Sequence, residues 1–313
     1  MKKFIVFLCV QYFVSLGISQ NVLEIPYEAT ALTEEQCKAN PDNLIYPADL
    51  EEKVDLVVEM FCENDMVAFS VSKTKQVKFS SGNLQYQAST KKWRFAPKQT
   101  DYVGEANDNI STTYSGWIDL FCWGTGNNPT NISDDNTDYP VFVDWGINII
   151  GSDSPNTWRT LAKDEWEYIF RYRTNSSQLY GYAQVAGVNG VIILPDRWRC
   201  PDGITFKPGS YRGGSLEDNY QYAAHQTFTT SQWDKLQQSG AIFLPAAGWK
   251  FWYTYGNYST FGSGNDAGFY WSSTASDNFE AYMLPYFSTG TTIGYLIPDE
   301  RRLGKSVRLV QDL

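Results

Sequence analysis

Gly268-Phe-Tyr-Trp-Ser-Ser-Thr-Ala-Ser-Asp277 and Arg301-Arg-Leu-Gly-Lys-Ser-Val-Arg-Leu-Val310 carry the strongest structural signal in this chain of 313 residues. Phe269–Ser272 reads as a strand, because aromatic side chains suit a pleated, half-buried surface. Residues 306–310 read as a second strand and Ala281–Phe287 as a third between them. Pro285 interrupts that third strand, so pairing there is expected at an edge or a bulge. The preceding Gly262-Ser-Gly264-Asn-Asp-Ala-Gly268 is one residue off a dinucleotide fingerprint and has no βαβ context, so it reads as a glycine-rich turn.

Working outward, Val191–Leu194 and Ala241–Leu244 form short apolar strands. Their surroundings echo each other, in Val191-Ile-Ile-Leu-Pro-Asp-Arg-Trp198 and Ala241-Ile-Phe-Leu-Pro-Ala-Ala-Gly-Trp249. Two copies without a third make neither a solenoid nor a propeller. Two helices are expected. Thr160 can cap one that carries Leu161, Ala162, Trp166, Ile169 and Phe170 on a single face. Thr229 or Thr230 can cap the other, with Trp233 and Leu236 inward and Gly240 as its terminator. Leu84 and Tyr86, then Trp93 and Phe95, alternate across residues 88–92 like a hairpin. Residues 101–158 are polar, aromatic and rich in Gly, Asn and Asp, which marks a packed functional loop or an unrecognised element. The sequence of elements is that of an α+β domain.

Residues 20–66 are of a different kind. They are acidic, and Leu50, Val54, Val57, Val58 and Phe61 recur at spacings of three and four, predicting one amphipathic helix at about 48–62. They read as an N-terminal extension of a main domain at 67–313. Residues 1–19 combine Lys2 and Lys3, an apolar run from Phe4 to Leu16 and the small-residue site Gly17-Ile18-Ser19, as in a secretory signal peptide. The chain is therefore expected to be secreted or displayed at the cell surface. No other stretch is apolar enough to span a membrane.

Composition narrows the function. With 25 Lys+Arg against 35 Asp+Glu the formal charge is −10, and loss of Lys2 and Lys3 would make it −12. Nucleic-acid binding needs clustered cations and is not expected. One histidine, His225, leaves little for a zinc hydrolase. Beyond Cys9, the cysteines are Cys37, Cys62, Cys122 and Cys200. An even count in an exported chain suggests disulfides, and the expected pairs are Cys37–Cys62 and Cys122–Cys200.

Motifs for catalysis fail one by one. There is no GxSxG and no HExxH. Gly304-Lys305-Ser306 resembles the end of a phosphate loop, but Asp299 stands where its first glycine belongs. Asp134, Asp135, Asn136 and Asp138 offer oxygens that could hold Ca²⁺, without the EF-hand spacing, so a solvated acidic loop is the simpler reading and no cofactor is expected. Asp164, Glu165 and Glu167 read as the acidic first turn of a helix.

The pattern GxYWSST at Gly268–Thr274, followed by RxxGxSVRLV at Arg301–Val310, resembles the C-terminal end of a bacterial C-type-lectin-fold family. That family includes the paralogous-domain proteins named after Fibrobacter succinogenes and the variable proteins of diversity-generating retroelements. Val77–Tyr86, Gly116–Phe121, Trp123–Pro129, Trp158–Trp166 and Phe243–Gly248 resemble its upstream segments, so the likeness covers about residues 67–313. It implies a C-type lectin-like fold with paired terminal strands, two helices and a long loop-rich insertion. It also implies a strand-and-loop face that meets a ligand. Here that face would run from Ser276 to Leu303, with Ser276, Asn278, Phe279, Glu280, Tyr282, Tyr286, Ser288, Thr289, Thr291, Thr292, Tyr295 and Leu296 as ligand-binding candidates. Tyrosine gives contact area at low entropy cost, and Ser, Thr and Asn give adaptable hydrogen bonds. Asp299-Glu300 makes the segment more acidic than its relatives, and the sugar motifs Glu-Pro-Asn and Gln-Pro-Asp of animal lectins are absent.

The expected function is that of an exported, non-catalytic, adhesin-like protein whose ligand is a glycan or a protein surface. A structural, fimbria-associated subunit that assembles through 20–66 is the alternative. A formylglycine-generating oxidase shares the superfamily, and Tyr211-Arg-Gly-Gly-Ser215 resembles its RGGS segment, but that segment lies mid-chain and no cysteine follows Cys200.

Overall fold

The structure, a computed structural model, describes residues 67–209, 226–252, 259–287 and 293–313. The expected signal peptide and the expected helix of the N-terminal extension, with Cys37, Cys62, the Tyr211–Ser215 segment, His225, Ser288, Thr289, Thr291 and Thr292, lie outside the described residues.

In chain order the strands are β1 (Phe69–Ser70), β2 (Gln76–Phe79), β3 (Leu84–Gln87), β4 (Lys92–Phe95), β5 (Arg159–Thr160), β6 (Tyr180–Val185), β7 (Val188–Ile193) and β8 (Thr227–Phe228). They continue with β9 (Ile242–Pro245), β10 (Trp249–Trp252), β11 (Ser259–Gly262), β12 (Ala267–Ala275), β13 (Glu280–Phe287), β14 (Ile297–Glu300) and β15 (Leu309–Asp312). The α-helices among the described residues are α1 (Lys163–Glu167) and α2 (Thr230–Gln238). The architecture is α+β.

The terminal sheet has the order β1-β2-β15-β5, so the last strand lies between the second strand and β5. Val310 pairs with Phe79 and Leu309 with Thr160, both antiparallel. A second sheet, β8-β6-β7-β9, brings the two echoing segments side by side, with Val191 opposite Leu244 and Ile192 opposite Phe243. The third sheet is β12-β13-β14. The second and third sheets are apolar on both faces, which separates the interior into three clusters. On β13, Ala281 and Met283 join Trp93, Trp145 and Trp271 on one side. Leu284 and Tyr286 join Phe79, Trp166 and Tyr270 on the other. Ile192 and Phe243 face a third cluster with Trp233 and Leu236 of α2.

Hairpin β3–β4 pairs Leu84 with Phe95 and Tyr86 with Trp93 across a turn whose Lys91 has φ 53°. Helix α2 is capped at Thr229, whose hydroxyl accepts from Gln232 N while the Gln232 side chain accepts from Thr229 N. Its chain leaves through Gly240 at φ +88°. Helix α1 departs from the sequence expectation. Thr160 belongs to β5, and its hydroxyl bonds Asp144 at 3.0 Å instead of capping. The helix starts after Ala162, whose N–H is taken by Glu165 at 2.9 Å. After one turn it widens into a π-helical turn at Tyr168–Tyr172, closed by Arg173 N donating to Tyr168 O.

The long stretch 101–158 is a packed loop whose aromatic residues build the second cluster. Ring contacts run from Trp93 to Phe121 (5.6 Å), from Phe121 to Trp145 (6.1 Å) and from Trp145 to Phe142 (5.6 Å). The acidic loop serves this packing. Asp135 accepts from Thr137 N, and Asn136 accepts from Arg302 N.

The expected Cys122–Cys200 bond is absent. Cys122 is a buried free thiol donating to Arg302 O at 3.1 Å, and Cys200 is an exposed one donating to Ile204 O at 3.2 Å. Each sulfur is held by its own stretch of chain, the first under the C-terminal segment and the second in a turn after β7.

Pro285 fits β13 because of strand register. Phe269, opposite it, turns its carbonyl away to accept from Ser306 N at 3.0 Å. The two therefore form a non-hydrogen-bonded pair, and the proline nitrogen points toward the β14 side. There β14 has already ended, at Met283 opposite Ile297. The ladder loses no bond.

Two expectations follow. A Cβ on Gly268 would stand inside the ring of buried Tyr286, whose hydroxyl is held by the Leu244 and Pro245 carbonyls. Gly268→Ala should therefore cost about 3 kcal/mol in denaturant unfolding. Asp119 is buried, accepts from Val103 N and Asn107 Nδ2, and burial pushes its carboxyl up to about 6. A raised folded-state pKa gives stability that is complete at low pH and lost as pH rises through about 6. Lowering pH from 7 to 5 should thus stabilise the wild type relative to Asp119→Asn by about 1 kcal/mol, measured by urea unfolding at both pH values.

Candidate functional site

The C-terminal sheet is fixed before its face is formed. Trp271 N donates to Ser306 O (3.1 Å) and Ser306 N to Phe269 O (3.0 Å), so the two signature segments lie against each other. Tyr270 and Tyr286 stack at 6.2 Å and both donate to Pro245 O. Arg308 is buried and donates to Gln99 Oε1 at 2.6 Å. Lys305, also buried, bonds Asp299 at 2.6 Å and lies 5.0 Å from the Trp271 ring centre. These groups make a polar frame in which the Lys305 charge is paired with a carboxylate, whereas Arg308 is held by the Gln99 amide and its Nε has no hydrogen-bond partner among the described residues.

The sequence-predicted residues separate into three groups. Ser276, Asn278 and Phe279 are exposed in the turn between β12 and β13, with Glu280 half-buried at its end. The turn is rigidly held. Asp277 accepts from Phe279 N and Glu280 N, both at 2.7 Å, and these bonds hold its carboxyl below the usual carboxylate range. Arg301 donates to Tyr139 O at 2.9 Å and to Asp277 O, and its guanidinium covers the Trp123 ring at 4.4 Å. With its backbone pinned, Phe279 projects outward and is 53% exposed.

Tyr282 and Tyr295 belong to a second group on the helical side of the sheet. Tyr282 is half-buried, with the Lys163 ammonium 5.1 Å from its ring centre. Tyr295 is 49% exposed, with the Arg171 guanidinium 3.9 Å from its ring centre. The register from Glu280↔Glu300 to Met283↔Ile297 places this group toward the opposite end of β14 from the Phe279 turn.

Tyr286 and Leu296 form the third group, and both are buried. The expectation that Tyr286 meets a ligand is therefore corrected. Its position on β13 turns it to the same side as Leu284, into the core between β9 and β12, where its hydroxyl bonds two backbone carbonyls.

The sequence reading missed the helical contribution. Lys163, Arg171 and Tyr172 are the less buried residues of α1 and its π-turn, whereas Trp166, Ile169 and Phe170 are buried. The inward stripe was readable, but the neighbour of the outward side was not. Three contacts set that neighbour. Lys163 N donates to Thr274 Oγ1 at 3.0 Å, and Ser273 N to Leu161 O at 2.9 Å. Gly294, at φ +94°, brings its segment against Phe170 and Arg171 where a Cβ would collide. The end of the π-turn is locked by buried Arg173, which donates to Ile169 O, Leu194 O and Leu179 O.

Among the described residues no group of His, Cys, Asp or Glu could hold a metal ion, and no helix is long and apolar enough to cross a membrane. No family model, curated protein or solved structure matches the chain.

The Arg301 staple yields a direct expectation. Arg301→Ala should leave the core folded but raise amide hydrogen exchange at residues 276–280 by at least about tenfold. Unchanged exchange there would show that the turn holds its shape without Arg301.

Proposed function

We propose that this protein is an exported, non-catalytic binding protein of C-type-lectin type that meets a glycan or protein ligand through the exposed rings of its C-terminal sheet and the adjoining helical turn. One observation carries the reading. Phe279, Tyr295 and Ile297, together with Tyr172 of the π-turn, expose large apolar side chains (44–57%) around one hydrogen-bonded sheet. Exposed aromatic residues on a rigid support are the ordinary anchors of recognition surfaces.

The fold supports the lectin part of the reading. The second strand pairs with the last, two helices accompany the sheets, and a long loop-packed stretch precedes α1. The chemistry of the face supports binding over catalysis. Asp277 caps a turn, Asp299 pairs with Lys305, and Glu300 pairs with Arg302. Carboxylates engaged in this way are poorly placed to transfer protons.

A structural, surface-assembly role is the second reading. Val141 and Ile149 are 66% and 61% exposed in the loop before β5. Exposed aliphatic groups of this size suit contact with another protein.

The test is an array of glycans and surface proteins probed with the mature chain from Gln20. The combined variant Phe279→Ala/Tyr282→Ala/Tyr295→Ala should fold with an unchanged far-ultraviolet circular dichroism spectrum and lose at least about a hundredfold in affinity for any hit. Full affinity in that variant would refute the face. Loss of affinity in Val141→Ser/Ile149→Ser instead would favour the assembly reading.

A further inference from the structure

We propose that Arg171, held between the rings of Tyr172 and Tyr295, is a carboxylate-recognition site for a sparsely acidic saccharide, one that carries isolated hexuronate units; the proposal rests on the binding-face reading above. The guanidinium lies 3.9 Å from the Tyr295 ring centre and 5.0 Å from that of Tyr172. Among the described residues, no carboxylate, carbonyl or hydroxyl accepts a hydrogen bond from it. The other guanidinium and ammonium groups packed against this sheet are taken. Lys163 pairs with Glu167 at 2.6 Å, Arg301 serves backbone carbonyls, Arg302 pairs with Glu300, and Lys305 with Asp299. Arg171 is thus the one cation of the face whose donors are uncommitted among the described residues.

Its setting prepares it for a planar anion. The rings restrain the plane of the guanidinium, and Arg173 and Gly294 fix the chain segments that carry both partners. A fork held in this way loses little freedom when it engages a carboxylate through two parallel hydrogen bonds. A hexuronate places its carboxylate on the rim of a ring whose faces carry C–H groups, which matches an arginine flanked by exposed tyrosine rings.

Two observations favour the saccharide over other anions. An extended peptide would dock most simply by adding a strand to β14, the edge of its sheet, but Pro298 removes a donor there and Asp299 and Glu300 add like charge. A densely sulfated chain would be repelled by a protein of formal charge −10. A saccharide with separated carboxylates does not depend on strand addition and carries far less of the charge that the protein repels.

The test is isothermal titration of the full chain with neutral trisaccharides that carry a single galacturonate or glucuronate unit and with their methyl esters, which keep the sugar and remove the charge. At least one acid should bind about tenfold or more tighter than its ester. Arg171→Ala should erase that preference, and Arg171→Lys, which keeps the charge without the fork, should lose most of it. A thermal midpoint within a few degrees of wild type, the scale of a surface substitution, would show that the variants are folded. Equal binding of acid and ester, a preference that survives in Arg171→Ala, no binding of any of these sugars, or tighter binding of a Glu-containing tetrapeptide than of the trisaccharides would each overturn the proposal. Ester binding that disappears in the Phe279/Tyr282/Tyr295 variant would overturn only the carboxylate assignment and leave the face standing.

Discussion

Between Gly304 and Asp312 the chain exchanges backbone hydrogen bonds with six other segments. Gly304 bonds reciprocally with Lys250, and Lys305 with Phe121. Ser306 bonds with Phe269 and Trp271 of β12. Val307 O accepts from Leu84 N, and Leu309 O from Ser80 N. From Leu309 onward the chain is β15, inserted between β2 and β5. Each bond is worth about 1 kcal/mol net, and leaving its partner unpaired in the interior would cost more. The hairpin of β10, the long loop, the C-terminal sheet and the terminal sheet all depend on this one strand of chain. Its side chains are equally committed, with Lys305 on Asp299 and Arg308 on Gln99.

That arrangement separates a frame from a face. In the frame, Tyr270, Tyr286, Arg308 and Lys305 are buried and bonded, so their polar groups fix geometry and meet no ligand. The face consists of side chains that project from backbone already held in place. Phe279 projects from a turn stapled by Arg301, and Tyr295 from a segment admitted by Gly294. Tyr172 projects from a π-turn locked by Arg173. Because the holding groups are different residues from the presenting ones, the presenting residues can change without disturbing the interior. A recognition surface needs this property.

Much of the frame was legible in the sequence. The hairpin at 84–95 showed its period, α2 its cap and terminator, and the two echoing apolar runs marked the paired strands β7 and β9. The α+β class followed from element order. Less of the face was legible, for physical reasons. Tyr282 and Tyr286 point to the same side of β13, so the strand period treats them alike, and only the packing of β9 over the Tyr286 end shows that one is buried and the other half-exposed. The partnership of Arg171 with Tyr295 joins residues 124 apart in the numbering, and only the packing of α1 on β12 reveals it. The cysteines misled because an even count says nothing about which sulfurs approach. Thr160 misled because Asp144, 16 residues earlier in the chain, claims its hydroxyl.

The separation of frame and face is best tested by native-state hydrogen exchange of residues 304–310, read by mass spectrometry in the wild type and in a variant whose face is stripped by alanine at Arg171, Tyr172, Phe279 and Tyr295. The account predicts that these amides exchange only with global unfolding in both proteins, with matching protection. Protection that collapses in the stripped variant, while its far-ultraviolet spectrum stays native, would contradict it by showing that the exposed rings help to hold the frame.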